Sequence, residues 1–333
     1  MKIALGLILV VLTVSAQDAN DSPDAHVAAA KAAAGEDFQN LFTFQCNGPG
    51  SVGQRAGGPR GGAAAGAQGK QGGGGRAGGK QQGPPERSTW HVEPVKVFDN
   101  LYFLGQSEYS VWAITTSQGI IVLDTIFDYS VEDEVVGGMK KLGLDPATIK
   151  YAVVSHAHPD HDGGARFLQE HYNTRVIMSP ADWDVLDKTT GTKPKRDLEA
   201  TDGQKLTLGD TTITLYITPG HTPGTISTVL PVKDNGTPHL AALWGGVGLN
   251  ADRESVQTYL RSAQRFSGIV KQAGADIILT NHTDWDRSKI NLPLLANRAP
   301  GSPNPYIVGN AKVLNFMKVA EECATARVKT IGN

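Results

Sequence analysis

Short apolar runs bounded by turn-forming residues recur along most of the chain, and they predict β-strands. These strands are expected at residues 95–98, 101–104, 111–115, 120–123, 151–155, 175–178, 226–232, 240–244 and 276–279, with two more within 205–217. Apolar residues at helical spacing predict helices at residues 130–142, 253–272 and around 316–323. Because the strands form two clusters that are each followed by helices, we predict one α/β domain over residues 89–333, with two sheets between helical layers.

The segment before this domain has three parts of different composition. A lysine, an apolar stretch and a small-residue cleavage site predict a signal peptide over residues 1–16. An alanine-rich helix and the apolar residues after it predict a helical anchor over residues 17–47. Residues 48–88 are dominated by Gly, Ala and Gln. We predict a disordered insertion there, because this composition buries too little apolar area to offset its ordering entropy.

The predicted signal peptide indicates the compartment of the protein, and the overall charge indicates which partners to expect. We expect a mature protein that is secreted or periplasmic, since the apolar stretch is too short to span a bilayer and no later run reaches about 18 apolar residues. The formal net charge is −2 over 333 residues, which gives no reason to expect a nucleic-acid partner. We expect a monomer without a membrane span that acts on a small-molecule substrate.

An oxidising compartment changes how the two cysteines are interpreted. Cys46 and Cys323 are expected to form one disulfide, and two buried free thiols are the alternative. Three positions fit the acceptor pattern for N-linked glycans, namely Asn20, Asn235 and Asn281. Asn235 is the one expected in a surface turn.

The strongest chemical signal is a dense cluster of histidines and an aspartate. His156, His158, Asp160 and His161 directly follow a predicted buried strand. Neutral imidazole and carboxylate groups are ligands that zinc prefers, whereas the alternative is a solvated His-rich loop with no ligand role. We interpret the cluster as a metal site that needs further ligands from elsewhere in the chain.

Two other histidines lie where they could complete this site. His221 lies in a Pro-Gly-His-Thr-Pro-Gly loop, and although a lone loop histidine is usually a surface residue, the flanking prolines and glycines fix the backbone and favour a directed ring. His282 follows the last predicted strand, and α/β proteins collect functional groups at such strand ends. The remaining histidines lie in none of these motifs and are interpreted as ordinary surface or core residues: His26, His91, His171 and His239.

Together, the His-x-His-x-Asp-His motif, the Pro-Gly-His-Thr-Pro-Gly loop and the histidine closing the last strand resemble the metallo-β-lactamase superfamily. The resemblance covers roughly residues 90–288. It implies an αββα sandwich with a site for two Zn²⁺ ions along one edge. It also implies that Asp124, at the end of a predicted strand, supports the metal loops. The two implied ligand groups are His156, His158 and His221 for the first ion, and Asp160, His161 and His282 for the second.

Departures from the family pattern indicate which subfamily the chain resembles. Glyoxalase-like members place a metal-bridging aspartate after the strand that corresponds to residues 240–244, whereas this chain has Gly245 and Gly246, which cannot ligate through a side chain. A second ligand group without that bridge is similar to the third (B3) subclass of metallo-β-lactamases. The serines that bind the β-lactam carboxylate in that subclass are not evident in residues 245–250.

The resemblance implies hydrolysis of a carbonyl substrate by a zinc-activated water. Asp160 would be both a ligand and the catalytic residue that orients this nucleophile. A cyclic amide, as in a β-lactam, is the first expected substrate, and a lactone or another ester or thioester is the alternative. A protein that binds zinc without catalysis is a further interpretation, but structural zinc sites are usually closed and four-coordinate. Four residues are candidates for the wall of the substrate cleft, and packing is the alternative role for the aromatic ones: Phe127, Asp128, Tyr129 and Trp285.

Overall fold

The computed structural model describes residues 21–48, 84–299 and 301–331. The predicted signal peptide, the Asn20 acceptor site and most of the predicted Gly-rich insertion lie outside the described residues. The end of that insertion is described, and it leads into a 3-10 turn at Arg87–Thr89. Regular structure therefore resumes slightly before the predicted boundary at residue 89.

Two mixed β-sheets form the centre of the described structure. The first sheet contains, in spatial order, β1 (Val95–Lys96), β2 (Leu101–Phe103), β3 (Trp112–Thr116), β4 (Gly119–Leu123), β5 (Ile149–Val153), β6 (Arg175–Met178) and β7 (Leu198–Glu199). The second contains β8 (Gln204–Leu208), β9 (Thr211–Ile217), β10 (Ile226–Asp234), β11 (Thr237–Trp244) and β12 (Ile277–Thr280), in the reverse spatial order from β12 to β8. β4 to β7 pair in parallel, as do β11 and β12, and the other neighbours are antiparallel.

Helices pack on the outer faces of the two sheets and at the edges of the sandwich. They are α1 (Pro23–Ala34), α2 (Gln39–Asn47), α3 (Gly137–Lys141, after a π-helical turn at Glu132–Val136), α4 (Pro159–Asp162), α5 (Ala165–Tyr172), α6 (Pro180–Asp187), α7 (Arg253–Ala273), α8 (Ser288–Ala296) and α9 (Asn310–Thr330). The sequence pattern missed β7 and α8, because β7 has two residues and α8 contains Pro293. No helix in the described part of the chain is long and apolar enough to cross a membrane.

The main apolar core lies between the two sheets. Phe103 and Trp112 of the first sheet pack in one cluster with Leu215, Leu230 and Leu279 of the second. Alternating side chains of β9 point into this core, as its alternating burial shows. Two mixed sheets between helical layers confirm the predicted αββα sandwich.

The N-terminal helices form part of the helical layer on the second sheet. Phe38, which precedes α2, packs edge-on against Phe316 of α9 with ring centroids 5.4 Å apart. Cys46 of α2 and Cys323 of α9 form a disulfide that links positions 277 residues apart in sequence. The predicted anchor segment therefore belongs to the same apolar cluster as α7 and α9.

The strand ends of both sheets meet at one edge of the sandwich. Leu123 pairs with Val153 at the end of β4 and β5, and Trp244 pairs with Thr280 at the end of β11 and β12. A backbone hydrogen bond from Ile226 to Ser155 joins the two sheets there at 2.8 Å. Because parallel strands end at the same level, the loops that follow them gather their side chains at this edge.

Candidate metal centre

All six predicted ligand residues lie together at this edge, in two groups of three. His156, His158 and His221 form the first group, and Asp160, His161 and His282 form the second. Within each group, one ligand atom from each residue lies within 4.8 Å of the others. The groups adjoin, because the rings of His156 and His161 have centroids 4.2 Å apart.

The first group has its imidazoles oriented by backbone carbonyls. Nδ1 of His156 donates to the Gly245 carbonyl at 2.9 Å, and Nδ1 of His221 donates to the Gly248 carbonyl at 2.9 Å. Since a carbonyl only accepts hydrogen bonds, both Nδ1 atoms carry the proton and both Nε2 atoms present lone pairs. These two Nε2 atoms lie 3.2 Å apart. Such an arrangement fits a cation that binds both nitrogens.

In the second group, a carboxylate orients an imidazole in place of a backbone carbonyl. Nδ1 of His161 donates to Oδ2 of Asp124 at 2.9 Å. Nε2 of His161 is buried and makes no hydrogen bond within the described residues, although Oδ2 of Asp160 lies 3.1 Å away. The same carboxylate oxygen lies 3.7 Å from Nε2 of His282. An orphaned ring nitrogen beside a carboxylate and a second imidazole fits a divalent metal ion.

Electrostatics keep most of these ligands in the protonation state that a metal requires. Burial and neighbouring histidines lower the pKa of His221 and of His282, each to about 3, so both imidazoles are neutral at pH 7. Burial would raise the pKa of the Asp160 carboxyl, but His161 and the other nearby imidazoles hold it below its usual range. For His161, burial is outweighed by Asp160 and Asp124, which raise the pKa of its imidazole to about 10. A bound cation would replace that proton.

Asp124 ties the end of β4 to the loop that carries the histidine cluster. Besides His161, it accepts hydrogen bonds from the backbone N–H of Ser155 at 2.6 Å and from its hydroxyl at 2.9 Å. Asp124 has a φ of 62° and Ile126 a φ of 51°, both in the left-handed region. Such conformations cost of order 1–3 kcal/mol each and cluster at functional sites. This placement agrees with the supporting role implied for Asp124.

Asp182 is a second buried carboxylate that joins the metal loops, and its role was not predicted. It accepts hydrogen bonds from the Ala157 N–H at 3.1 Å, the Thr222 hydroxyl at 2.8 Å and the Gly224 N–H at 2.9 Å. It thus connects the loop of His156 to the loop of His221. Asp182 lies in the first turn of α6, which the Ser179 hydroxyl caps, and this local position gives no hint of the long-range contacts.

Asn281 is also part of the site, which bears on the predicted glycan acceptors. Its side-chain nitrogen donates to the Gly245 carbonyl at 2.7 Å and to the Ser155 hydroxyl at 3.1 Å, and the residue is 1% exposed. The atom that a glycan would modify is therefore buried between two metal loops. Asn235, in contrast, lies exposed in the turn between β10 and β11.

Gly245 and Gly246 leave no space for the bridging aspartate of the glyoxalase-like proteins. A Cβ on Gly245 would lie 1.8 Å from the Ile226 carbonyl oxygen. A Cβ on Gly246 would lie 2.6 Å from Cβ of His221. Both contacts are far below normal van der Waals separation, so backbone at Gly245 and the His221 side chain at Gly246 close these positions to a larger residue.

The four candidates for the cleft wall differ in their contacts. Phe127 stacks on Tyr129 with ring centroids 5.1 Å apart, and Asp128 is exposed. Trp285 does not stand alone beside the site: it stacks on Phe44 of α2 at 4.4 Å. A residue that the sequence reasoning missed, Tyr109, lies between Phe127 and His282, with ring centroids 5.1 Å from each.

The other histidines lie outside both ligand groups. Three pair with carboxylates at 2.6 Å, which agrees with ordinary structural roles: His26 with Glu322, His91 with Glu134 and His239 with Asp276. His171 stacks on Phe167 at 4.4 Å.

Comparison with known proteins gives one family match and several relatives. The sequence profile of the "Metallo-beta-lactamase superfamily" matches residues 104–234. "N-acyl homoserine lactonase AttM" of Azorhizobium caulinodans is 27% identical over 195 residues, which cover 50% of this chain and 72% of AttM.

Solved structures with the same fold include two metallo-β-lactamases. BJP-1 of Bradyrhizobium japonicum, a subclass B3 enzyme, is 27% identical with a TM-score of 0.59, and the match covers 69% of this chain and 91% of BJP-1. Native FEZ-1 of Legionella gormanii is 23% identical with a TM-score of 0.63, and the match covers 72% of this chain and 98% of FEZ-1. At that identity the likeness to FEZ-1 concerns the fold alone.

Proposed function

Because the chain belongs to the metallo-β-lactamase superfamily and is B3-like within it, we propose that it is a dinuclear zinc hydrolase that opens a cyclic amide or ester. The observation that carries this proposal is the pair of adjoining ligand groups, with the lone pairs of His156 and His221 facing each other at 3.2 Å. Three imidazoles, and an aspartate with two imidazoles, are donor sets that suit zinc and leave coordination positions open for substrate.

The site residues would have two roles, binding of the metal ions and orientation of the attacking water. His156, His158 and His221 would hold one ion, and Asp160, His161 and His282 the other. Zinc supplies Lewis-acid catalysis and lowers the pKa of a water towards about 7. Asp160 is positioned to orient the attacking water: Oδ2 faces His161 and His282, and an ionised carboxylate has a second oxygen that accepts a hydrogen bond. Since activated water is the nucleophile, no covalent intermediate is expected.

A β-lactam is the first substrate class we propose. The ligand set lacks a bridging aspartate, and the structural likeness to the B3 enzyme BJP-1 covers 91% of that chain. A lactone is the second candidate, supported by the likeness to the lactonase AttM. Residues 245–250 also contain no serine that could bind a β-lactam carboxylate.

Parallel assays of zinc-loaded protein with nitrocefin and with an N-acyl homoserine lactone separate the two substrates. We expect hydrolysis of at least one of them, and a kcat/KM lower by about 100-fold or more in the Asp160→Asn variant. A protein that binds two zinc ions but hydrolyses nothing in a broad panel of amides and esters would contradict the proposed enzyme. That result would support the alternative of zinc binding without catalysis.

We also propose that the protein is exported, to the periplasm or the medium, and works as a monomer. The disulfide between Cys46 and Cys323 supports an oxidising compartment. Fractionation of expressing cells tests the location, and light scattering of the purified protein tests the oligomeric state.

A further inference from the structure

We propose that Gln45, on the N-terminal helix α2, is a positioning residue for the three-histidine group and sets its affinity for zinc. The inference rests on the proposed metal centre and adds to it a residue far outside the metal motifs. Gln45 touches no ligand directly. It acts through the loop of residues 245–250.

This loop orients two of the three histidines. The Gly245 carbonyl accepts the hydrogen bond from Nδ1 of His156, and the Gly248 carbonyl accepts that from Nδ1 of His221, both at 2.9 Å. The side chain of Asn250 donates to the His221 carbonyl at 3.1 Å. The loop therefore fixes where the Nε2 atoms of His156 and His221 point.

Gln45 holds the loop at the peptide group next to Gly248. Its side-chain nitrogen donates to the Val247 carbonyl at 2.6 Å and to the Tyr259 hydroxyl at 2.8 Å. The Tyr259 hydroxyl in turn donates to the Val247 carbonyl at 3.3 Å. Gln45 is 5% exposed, Val247 2% and Tyr259 1%, so water cannot replace a lost hydrogen bond without entering the core.

Helix α2 is itself fixed on both sides of Gln45. Phe44 stacks on Trp285, three residues after the ligand His282, with ring centroids 4.4 Å apart. Cys46 is bonded to Cys323 of α9. Three consecutive residues thus connect α2 to the loop of His282, to the loop of residues 245–250 and to the C-terminal helix.

The two ligand groups depend on this loop to different extents. His161 of the second group is oriented by Asp124, which lies at the end of β4 and not in the loop. Loss of the Gln45 hydrogen bonds would free the peptide groups around Val247 and Gly248, and so loosen the ring of His221. Residues that orient metal ligands typically change metal affinity by about 10- to 100-fold when they are replaced.

The test compares Gln45→Met with Gln39→Met, the same substitution on the same helix. The methionine keeps the length of an unbranched side chain but cannot donate a hydrogen bond. Gln39 is exposed, and its side-chain nitrogen donates to the Gly35 carbonyl of the helix connection. Zinc dissociation constants are measured by competition with a chromophoric chelator, together with the melting temperature of the metal-free protein. We expect Gln45→Met to raise the dissociation constant of one of the two zinc ions by about tenfold or more. Gln39→Met should change neither dissociation constant.

A His282→Ala background assigns the effect to a site. In this background the second group lacks a ligand. Gln45→Met must still lower, by about tenfold, the affinity for the zinc ion that the three histidines hold. The Tyr259→Phe variant removes the other donor to Val247 and must weaken the same ion, which keeps the inference testable if Gln45→Met does not fold.

Three results would overturn the inference. Unchanged zinc affinity in Gln45→Met and Tyr259→Phe, with two ions bound to the wild type, overturns it and leaves the metal centre intact. Equal weakening of both ions, in step with a lower melting temperature of the metal-free protein, reduces Gln45 to a structural residue. A wild-type protein that binds no zinc overturns the metal centre and this inference with it.

Discussion

The Nε2 atoms of His156 and His221 face each other at 3.2 Å, although the two residues lie 65 positions apart in sequence. Each ring donates its only N–H to a backbone carbonyl, so two lone pairs meet across this gap. Two facing lone pairs repel unless a cation lies between them.

Metal removal should therefore destabilise the protein. Stripping with a chelator should lower the melting temperature, and zinc should restore it in proportion to the logarithm of the free zinc concentration. A ligand that binds only the folded state adds about 2.7 kcal/mol at a concentration of 100 times its Kd. Calorimetry on the stripped and reloaded protein measures this shift, and identical melting in both states would contradict a metal site at these histidines.

Replacement of a ligand should abolish hydrolysis without unfolding the chain. In Asp160→Asn and in His221→Ala we expect kcat/KM to fall by about 100-fold or more, since a group that positions the nucleophile typically contributes 10²- to 10⁴-fold. His239→Ala is the matched control, because His239 pairs with Asp276 outside the site. Circular dichroism verifies folding, and near wild-type turnover in either ligand variant would exclude the assigned roles.

Removal of Asp182 should loosen the loops that carry the first ligand group. In Asp182→Ala, the Ala157 N–H, the Gly224 N–H and the Thr222 hydroxyl lose their buried acceptor. Each buried donor left unsatisfied costs about 1–3 kcal/mol, so we expect a free energy of unfolding lower by at least about 3 kcal/mol. Denaturant titration measures this change. The control Asp184→Ala loses only an ion pair with Arg196 at the surface and should change little; equal stability of the two variants would refute the role of Asp182.

Loss of the disulfide should destabilise the fold through the unfolded state. The bond closes a loop of 277 residues, and loops of this size gain about 2–5 kcal/mol from a cross-link. We therefore expect the Cys46→Ser/Cys323→Ser double variant to unfold at a lower urea concentration than the oxidised wild type. Wild-type protein under reducing conditions should match the double variant. Coincident unfolding curves for the oxidised and reduced wild type would show that the bond does not form in solution.

The meeting of the six candidate ligands could be predicted from short motifs and from the family resemblance that these motifs carry. His156, His158, Asp160 and His161 share one loop, and His221 and His282 each follow a strand, so strand order alone brings them to one edge. The apolar runs of the strands predicted two sheets between helical layers, and the family resemblance implied the αββα sandwich.

The residues that orient the ligands were not predictable in this way. Asp182 lies in the first turn of a helix that Ser179 caps, Asn281 fits the glycan acceptor pattern, and Gln45 lies in a short apolar helix. Each acquires its role from contacts with residues distant in sequence, over 202 positions in the case of Gln45 and Val247. Long-range packing also explains Trp285, which was a candidate for the cleft wall. It stacks on Phe44, on a helix whose position the sequence did not reveal.

Zinc titration of the metal-free protein, with hydrolysis and bound metal followed in the same samples, tests the dinuclear centre most directly. We expect two zinc ions per chain, one for each ligand group. Hydrolysis of nitrocefin or of the lactone should rise with loading, and the His282→Ala variant should lose both the second ion and most of the rate. Full hydrolysis by the metal-free protein would contradict the dinuclear centre. A zinc-loaded wild type that holds no ion at His156, His158 and His221 would contradict it as well.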